Sequence, residues 1–157
     1  MSSLTGRWRL DVPGHDCEQM FAIAVDIESY PRFLPFCRSA RIRRRDAGGL
    51  DVENHFGIGP VQARFRTRAT FDRPHRLDIT SQAAPFRRFR LTWLFAPLPD
   101  GCRVEAEYEI EMRSFLLHGL AHLAMSEIEP SVLSSFRRRI AEVYPPAAEL
   151  PPSKRDS

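Results

Sequence analysis

The sequence predicts an α+β domain in which a curved antiparallel sheet of seven strands wraps around one long C-terminal helix. Apolar and polar residues alternate over residues 4–12 and again, repeatedly, between residues 39 and 112, which is the period of strands with one buried face. Two short helices are predicted between these blocks, and from residue 114 to about residue 144 the apolar residues recur at helical spacing. A chain of 157 residues can bury such a core as a single domain.

Turn and capping residues mark the ends of the first strand and the first helix. The inner face of the strand carries Leu4, Gly6, Trp8, Leu10 and Val12. Pro13 and Gly14 end the strand. Asp16 is predicted to cap the helix that follows, with Gln19 completing a capping box. This helix must end before Tyr30, because the residue before a proline avoids helical geometry.

A short aromatic segment follows, and Pro31 and Pro35 bracket it. The two prolines allow a single helical turn but not a long helix. Four large apolar side chains in so short a stretch must pack onto another part of the molecule. We therefore predict a lid over the core, formed by Tyr30, Phe33, Leu34 and Phe36.

Six further strands are predicted in the centre of the chain. Alternation and the intervening turns place them at residues 39–45, 50–58, 61–71, 76–81, 88–95 and 104–112. The inner face of the sheet then receives the apolar side chains of Phe65, Trp93, Phe95 and Met112. It also receives the polar side chains of Asn54, Thr67 and Tyr108, which are the candidate hydrogen-bond donors to a ligand.

The outer face of the last predicted strand constrains the order of the strands. Residues 105, 107, 109 and 111 are all glutamates that point to solvent. Such a strand needs positive charge on both neighbours. Arg88 and Arg90 lie on the preceding strand, and Arg7 and Arg9 on the first strand are the best partners for the other edge. We therefore predict that the first strand pairs with the last.

The long helix is predicted to begin after Ser114 as its N-cap. Its inward stripe begins with Leu117, Leu120 and Ala124. Pro130 lies deep in this helix, where the loss of a hydrogen bond should kink or split it. His118 and His122 are four residues apart, as in some metal sites, but no third ligand is apparent, so we predict a helix face and no metal.

Composition excludes several classes of protein. Apolar residues make up 43% and charged residues 27%, which excludes a disordered chain. No apolar run approaches the roughly 20 residues of a membrane span, and the N-terminus lacks the pattern of a secretory signal. We expect a cytoplasmic protein, with its three cysteines reduced. Residues 1–144 are predicted to form the domain, and residues 145–157 a disordered tail.

The positive charge of the chain is compatible with several kinds of anionic partner. The net charge is +3, and nearly all of the positive charge comes from arginine. Exposed positions are predicted for Arg41, Arg43, Arg44, Arg45, Arg64, Arg66 and Arg68. Arginines of this kind can contact an anionic membrane, RNA or an acidic partner. The glutamate strand interrupts the basic surface and no aromatic stacking platform faces outward. We expect no DNA partner.

Residues 25–37, VDIESYPRFLPFC, resemble the motif D-x-x-x-Y-P-x-F-L-P-W-C of the coenzyme Q-binding proteins, in the polyketide cyclase/dehydrase branch of the START-like, or SRPBCC, superfamily. Residues 85–89, 93–95 and 114–117 add to the resemblance, which covers roughly residues 7–144. Phe36 stands where tryptophan is usual, and Ala84 where glycine is usual.

The resemblance implies a helix-grip fold and a non-enzymatic protein that binds ubiquinone or a related polyprenyl lipid in support of respiration. The expected binding residues are Tyr30, Phe33, Leu34, Phe36, Asn54, Phe65, Thr67, Trp93, Phe95, Tyr108, Met112, Leu117, Leu120 and Ala124. No cofactor beyond the bound lipid is expected, and peripheral contact with the inner membrane stays open. Two alternatives also remain open: a toxin-like protein that binds ribosomal subunits and blocks their association, and a polyketide cyclase or dehydratase.

Overall fold

The computed structural model describes residues 3–58 and 60–145, in which seven strands and two α-helices succeed one another. A short 3₁₀ helix, Ile27–Arg32, follows α1. The elements in chain order are β1 Leu4–Pro13, α1 Cys17–Val25, β2 Cys37–Asp46, β3 Gly49–Ile58, β4 Val61–Asp72, β5 Arg76–Ser81, β6 Phe86–Leu98, β7 Gly101–Met112 and α2 Phe115–Val143. The tail predicted for residues 145–157 lies outside the described residues after position 145.

The sheet confirms the predicted fold and the predicted contact between its first and last strands. The strand order is β1-β7-β6-β5-β4-β3-β2, and every pair is antiparallel. Arg7 lies opposite Glu107 with a 2.9 Å ion pair, and Arg9 lies opposite Glu105. Exposed ion pairs of this kind contribute only about 0–1 kcal/mol each. Their main effect is to favour this register over a shifted one, which would place like charges opposite each other.

The segment between β1 and β2 is held by the predicted capping box. The Asp16 carboxylate accepts a hydrogen bond from the Gln19 N–H (2.9 Å), and the Gln19 side chain accepts one from the Asp16 N–H (3.0 Å). In the lid, the Tyr30 hydroxyl donates to the carbonyl of Ala24 at 2.5 Å. This bond ties the 3₁₀ helix to the end of α1 and fixes how the lid enters the core.

Helix α2 begins at the predicted cap, where the Leu117 N–H donates to Ser114 Oγ (3.2 Å). Pro130 was predicted to kink or split the helix, and the split is wrong, because α2 runs unbroken from Phe115 to Val143. Proline removes one N–H, so one intrahelical bond, to the carbonyl of Ser126, is lost. Ser126 is exposed, so water can solvate that carbonyl. No helix among the described residues is long and apolar enough to cross a membrane.

The fully packed core lies at one end of the sheet. Phe21 of α1 packs edge-on against Phe95 with ring centroids 5.8 Å apart, and Phe136 of α2 packs against Trp93 at 5.3 Å. Phe21 and Phe136 are at most 1% exposed. The buried residues of α2 all lie at position 132 or later. The first half of α2 therefore covers the other end of the sheet without being buried in it.

Candidate ligand-binding cavity

An apolar cavity of about 590 Å³ lies between the inner face of the sheet and the first half of α2. Its volume falls within the range of small-molecule sites, roughly 300–1,000 Å³. The lid closes one side, β6 and β7 form the floor, and α2 forms the roof. The end of the cavity beside β4 is bordered by Val61, Gln62 and Arg64.

Nine of the fourteen residues predicted to bind a ligand line this cavity. Three of the nine come from the lid, three from the floor and three from the roof: Tyr30, Leu34, Phe36, Trp93, Tyr108, Met112, Leu117, Leu120 and Ala124. Trp93, Tyr108 and Met112 sit on the inward positions of their strands, and Leu117, Leu120 and Ala124 share one side of α2. Three segments far apart in sequence are thus brought around one space.

The other five predicted residues lie outside the lining. The Phe33 ring lies 5.6 Å from the guanidinium of Arg139 in the second half of α2, and Phe95 packs against Phe21, so both belong to the filled end of the core. Phe65 is the centre of an aromatic cluster behind the cavity wall, with Phe56, Phe86 and Phe89 at centroid distances of 5.0, 4.7 and 5.7 Å.

The side chains of Asn54 and Thr67 form a hydrogen bond with each other and do not line the cavity. The Asn54 amide donates to Thr67 Oγ1 at 3.0 Å and to the carbonyl of Phe65 at 3.2 Å. Both side chains are buried, on the neighbouring strands β3 and β4. A buried amide that finds its acceptors across the strand pair needs no ligand to satisfy it.

The polar groups of the cavity include two tyrosine hydroxyls and the Trp93 indole, besides Trp8, Gln62, Arg64 and Arg113 of its lining. Burial raises the pKa of both Tyr30 and Tyr108, so both hydroxyls stay protonated at neutral pH. The Tyr108 hydroxyl donates to the Glu129 carboxylate of α2, which bridges floor and roof. The Trp93 indole N–H is buried beside the Tyr30 hydroxyl and makes no hydrogen bond of good geometry among the described residues. An unpaired buried donor costs about 1–3 kcal/mol.

The site prediction from the sequence missed Trp8, which lines the cavity, and two residues that adjoin Tyr108 beside it. Trp8 packs against Tyr108 at 5.1 Å, and its inward position on the first strand was the signal that pointed to it. Gly6 lies beside the same ring, and any Cβ at Gly6 would overlap Tyr108. Glu129 gave no signal, since its contact with Tyr108 joins residues 21 positions apart on two different elements.

A second, charged groove of about 990 Å³ lies on the outer face of the sheet and is rich in arginine. Much of its charge is already paired. Arg68 contacts Asp46 at 2.7 Å and Asp51 at 2.9 Å, and Arg43 and Arg66 contact the same glutamate on β3 at 2.8 and 3.3 Å. The hydrogen bond from Arg68 lowers the pKa of Asp46 to about 2. No cluster of three metal-ligating side chains occurs among residues 3–58 and 60–145.

A family model described as polyketide cyclase / dehydrase and lipid transport matches residues 13–137. The ribosome association toxin RatA of Escherichia coli K12 is 26% identical over 131 residues, 83% of each chain. The mitochondrial coenzyme Q-binding protein COQ10 homolog B of Xenopus laevis is 24% identical over 138 residues, 85% of this chain and 57% of that protein.

Solved structures share the fold at low sequence identity. A START superfamily protein from Mycobacterium smegmatis has a TM-score of 0.72 at 14% identity, covering 90% of this chain and 98% of that one. The Zhui aromatase/cyclase from Streptomyces sp. R1128 has a TM-score of 0.78 at 12% identity, covering 94% of this chain and 99% of that one. At these identities the likeness shows a START-like fold alone.

Proposed function

We propose that this chain, which belongs to the polyketide cyclase/dehydrase and lipid transport family, binds a hydrophobic small molecule in the apolar cavity and carries it unchanged. The observation that carries the proposal is the cavity of about 590 Å³ whose walls are formed mainly by aliphatic and aromatic side chains. A space of this kind favours an apolar guest, since each buried CH₂ contributes about 0.8 kcal/mol.

A quinone with a polyprenyl tail fits the distribution of polar groups. The lining offers many apolar side chains to a tail and few hydrogen-bonding groups. The Trp93 indole N–H makes no hydrogen bond of good geometry among the described residues, and a ring carbonyl that reaches it would remove the cost of leaving it unpaired. The similarity to a protein named for coenzyme Q binding supports the same class of ligand.

The state of the two tyrosine hydroxyls supports binding over a reaction. Both are protonated and already donate, Tyr30 to a carbonyl and Tyr108 to Glu129. A general base must accept a proton near neutral pH, and neither hydroxyl does so. Within the described residues, the glutamates of β7 project from the outer face of the sheet, away from the cavity.

The test is to identify what the protein carries. Protein is purified without detergent from its native organism and extracted with organic solvent, and the extract is analysed by mass spectrometry. The Ala124→Phe variant places a ring in the cavity, and Ala141→Phe is its control, because Ala141 is exposed on the same helix. Circular dichroism checks that both variants fold.

The proposal expects a quinone or polyprenyl lipid near one equivalent in the wild type and in Ala141→Phe, and its loss from Ala124→Phe. Equal lipid content in all three proteins would place the lipid elsewhere. A folded wild-type protein that stays empty after incubation with ubiquinone would overturn the proposal.

A second candidate function is binding to a ribosomal subunit. The outer arginine groove favours it, together with the similarity to a protein named as a ribosome association toxin. It expects salt-sensitive cosedimentation with ribosomal subunits that is lost when Arg64, Arg66 and Arg68 are changed to glutamate. Because Arg66 and Arg68 also pair with carboxylates and Arg64 borders the apolar cavity, the single variant Arg90→Glu, at a residue that lines the groove, is the cleaner first test.

A further inference from the structure

Two cysteines from distant parts of the sequence meet where α1 begins. Cys17 is the first residue of α1 and Cys102 lies at the start of β7, 85 positions later, yet their Sγ atoms are 2.8 Å apart. Both thiols are free in the structure. A disulfide bond holds its two sulfurs about 2.05 Å apart, so a small movement of the two side chains is enough to bring them to bonding distance.

The backbone on both sides of this contact fixes the approach of the two sulfurs. Cys102 lies opposite Val12 in the sheet, close to the end of β1. The Gly14 N–H then donates to the carbonyl of Asp100 (2.8 Å), which turns the chain back over the β6–β7 hairpin. The capping box described above sets where α1 begins, and with it the position of Cys17. The contact between the sulfurs therefore follows from the path of the backbone.

The two thiols differ in their access to solvent. Cys17 is 9% exposed and borders a surface groove of about 490 Å³ beside the β6–β7 hairpin, whereas Cys102 is completely buried and does not line that groove. Burial raises the pKa of the Cys102 thiol, and its hydrogen bond with Cys17 raises this pKa further. The reactive form of a cysteine is the thiolate. A small oxidant from solvent therefore reaches Cys17 first, and Cys102 is placed to react with the product.

The third cysteine has no such neighbour and serves as an internal control. Cys37 is 3% exposed, and its thiol contacts the carbonyl oxygen of Ser39 at 3.7 Å and not another thiol. It lies at the start of β2, which is an edge strand of the sheet and pairs only with β3. The fold thus offers one pair of cysteines for an intramolecular disulfide.

We propose that Cys17 and Cys102 form a redox-sensitive site, at which hydrogen peroxide converts the two thiols to a disulfide that clamps α1 onto the sheet. The Cys17 sulfur attacks the peroxide, so that an S–O bond forms, the O–O bond breaks and water leaves. The Cys102 sulfur then attacks the sulfenic sulfur of Cys17; the S–S bond forms, and the hydroxyl group leaves as water with the proton of Cys102. The two thiols lose two electrons, and one peroxide is reduced to two waters.

The disulfide would close a loop that contains most of the fold. The chain between the two cysteines includes α1, the lid and the strands from β2 to β6. Closing so long a loop restricts the unfolded chain, which stabilises the folded state relative to it. Neither cysteine lines the apolar cavity, so the inference is independent of the proposed carrier function.

Thiol counting tests the redox-sensitive site. Full-length protein is reduced with dithiothreitol, freed of the reductant and incubated in its native state with hydrogen peroxide. Catalase ends the reaction, urea unfolds the protein, and N-ethylmaleimide labels every remaining thiol for mass spectrometry of the whole chain and of its peptides. Cys37→Ser is the matched control, and Cys17→Ser and Cys102→Ser each remove one partner. Circular dichroism checks that the variants fold.

The inference expects the oxidised wild type to lose two of its three labels, to show a cross-link between Cys17 and Cys102, and to regain all labels with dithiothreitol. Cys37→Ser should form the same cross-link. Cys102→Ser should stop at a sulfenic acid on Cys17, which dimedone traps, and Cys17→Ser should keep both of its labels. Three labels on the treated wild type, or a cross-link that involves Cys37, would overturn the site without reference to any variant.

Thermal unfolding tests the clamp. The midpoint of the oxidised wild type should lie about 10 °C above that of the reduced protein. Peroxide should leave the midpoint of Cys17→Ser unchanged, which separates the effect of the disulfide from that of other oxidation, such as that of methionine. A wild type that carries the disulfide but unfolds at the same temperature as the reduced protein would refute the clamp.

Discussion

Replacing Phe65 with alanine should destabilise the fold strongly, because Phe65 is a core residue behind the cavity wall. It is 5% exposed, and its ring touches those of Phe56, Phe86 and Phe89. Truncating a buried phenylalanine costs about 3–5 kcal/mol, a large share of the roughly 5–15 kcal/mol of a domain. With a urea slope of about 1–3 kcal/mol per M, the unfolding midpoint should fall by about 2 M.

The assay is urea unfolding followed by circular dichroism, with Leu120→Ala as the comparison. Leu120 is only half-buried and borders the cavity, so its truncation removes fewer packing contacts and should cost about 1 kcal/mol. If Phe65→Ala costs less than Leu120→Ala, the aromatic cluster is not the packed layer that the structure describes. The boundary between the packed core and the cavity would then be refuted.

Three further predictions concern single side chains away from the cavity. Hydrogen bonding to Arg68 lowers the pKa of Asp46 from 3.8 to about 2, so the ionised Asp46 stabilises the fold above pH 3.8 and this stabilisation is lost toward pH 2. The urea midpoints of the wild type and of Asp46→Asn should therefore converge between pH 3.8 and pH 2. A constant difference between the two midpoints would contradict this prediction. Burial raises the pKa of the Cys37 thiol to about 12, so thiol titration at pH 8 should be slow in native protein and fast after unfolding. A Cβ on Gly49, where φ is 153°, would overlap the carbonyl oxygen of Ala69, so Gly49→Ala should lower the thermal midpoint by several degrees, and an unchanged midpoint would refute the overlap.

The sheet could be predicted from the sequence because its signals are local and repeated. Alternation identified every strand, and the glutamates of β7 required arginines on both sides. Arg7 and Arg9, near the start of the chain, were predicted to lie beside these glutamates. The structure places Arg7 opposite Glu107 and Arg9 opposite Glu105. The predicted start of β2 was late by two residues, since β2 begins at Cys37. Strand ends depend on neighbouring hydrogen bonds, which alternation does not reveal.

The effect of Pro130 could not be judged from local rules alone. Sequence reasoning counts the missing hydrogen bond and the crowding of the ring, which together disfavour a helix interior. Local sequence does not reveal the tertiary contacts of the helix after the proline. There, Val132, Phe136 and Ile140 are buried against the rest of the fold. Burying each such side chain contributes about 1.5–3 kcal/mol. This is enough to offset a lost bond and hold the two halves of α2 in one helix.

The candidate site was less accessible to sequence reasoning than the fold. Alternation shows which side chains point inward, but the inner face of the sheet is longer than the cavity. Phe95 and Trp93 are two positions apart on the same face of β6, yet only Trp93 lines the cavity. Phe95 does not line the cavity because Phe21 of α1 packs against it. Where the cavity ends is decided by which helix covers each stretch of sheet, and that is a tertiary property.

One feature of α2 accounts for both the cavity and the exposed face above it. The second half of the helix fills the space over the sheet with Phe136 and other buried side chains. In the first half, the inward side carries Ala121 and Ala124 beside leucines, and these smaller side chains leave the space unfilled. Its larger side chains Phe115, Leu116 and Leu123 point out to solvent instead. A helix that places its larger side chains outside and its smaller ones inside leaves apolar surface unburied along the cavity, and a guest bound in the cavity would bury that surface.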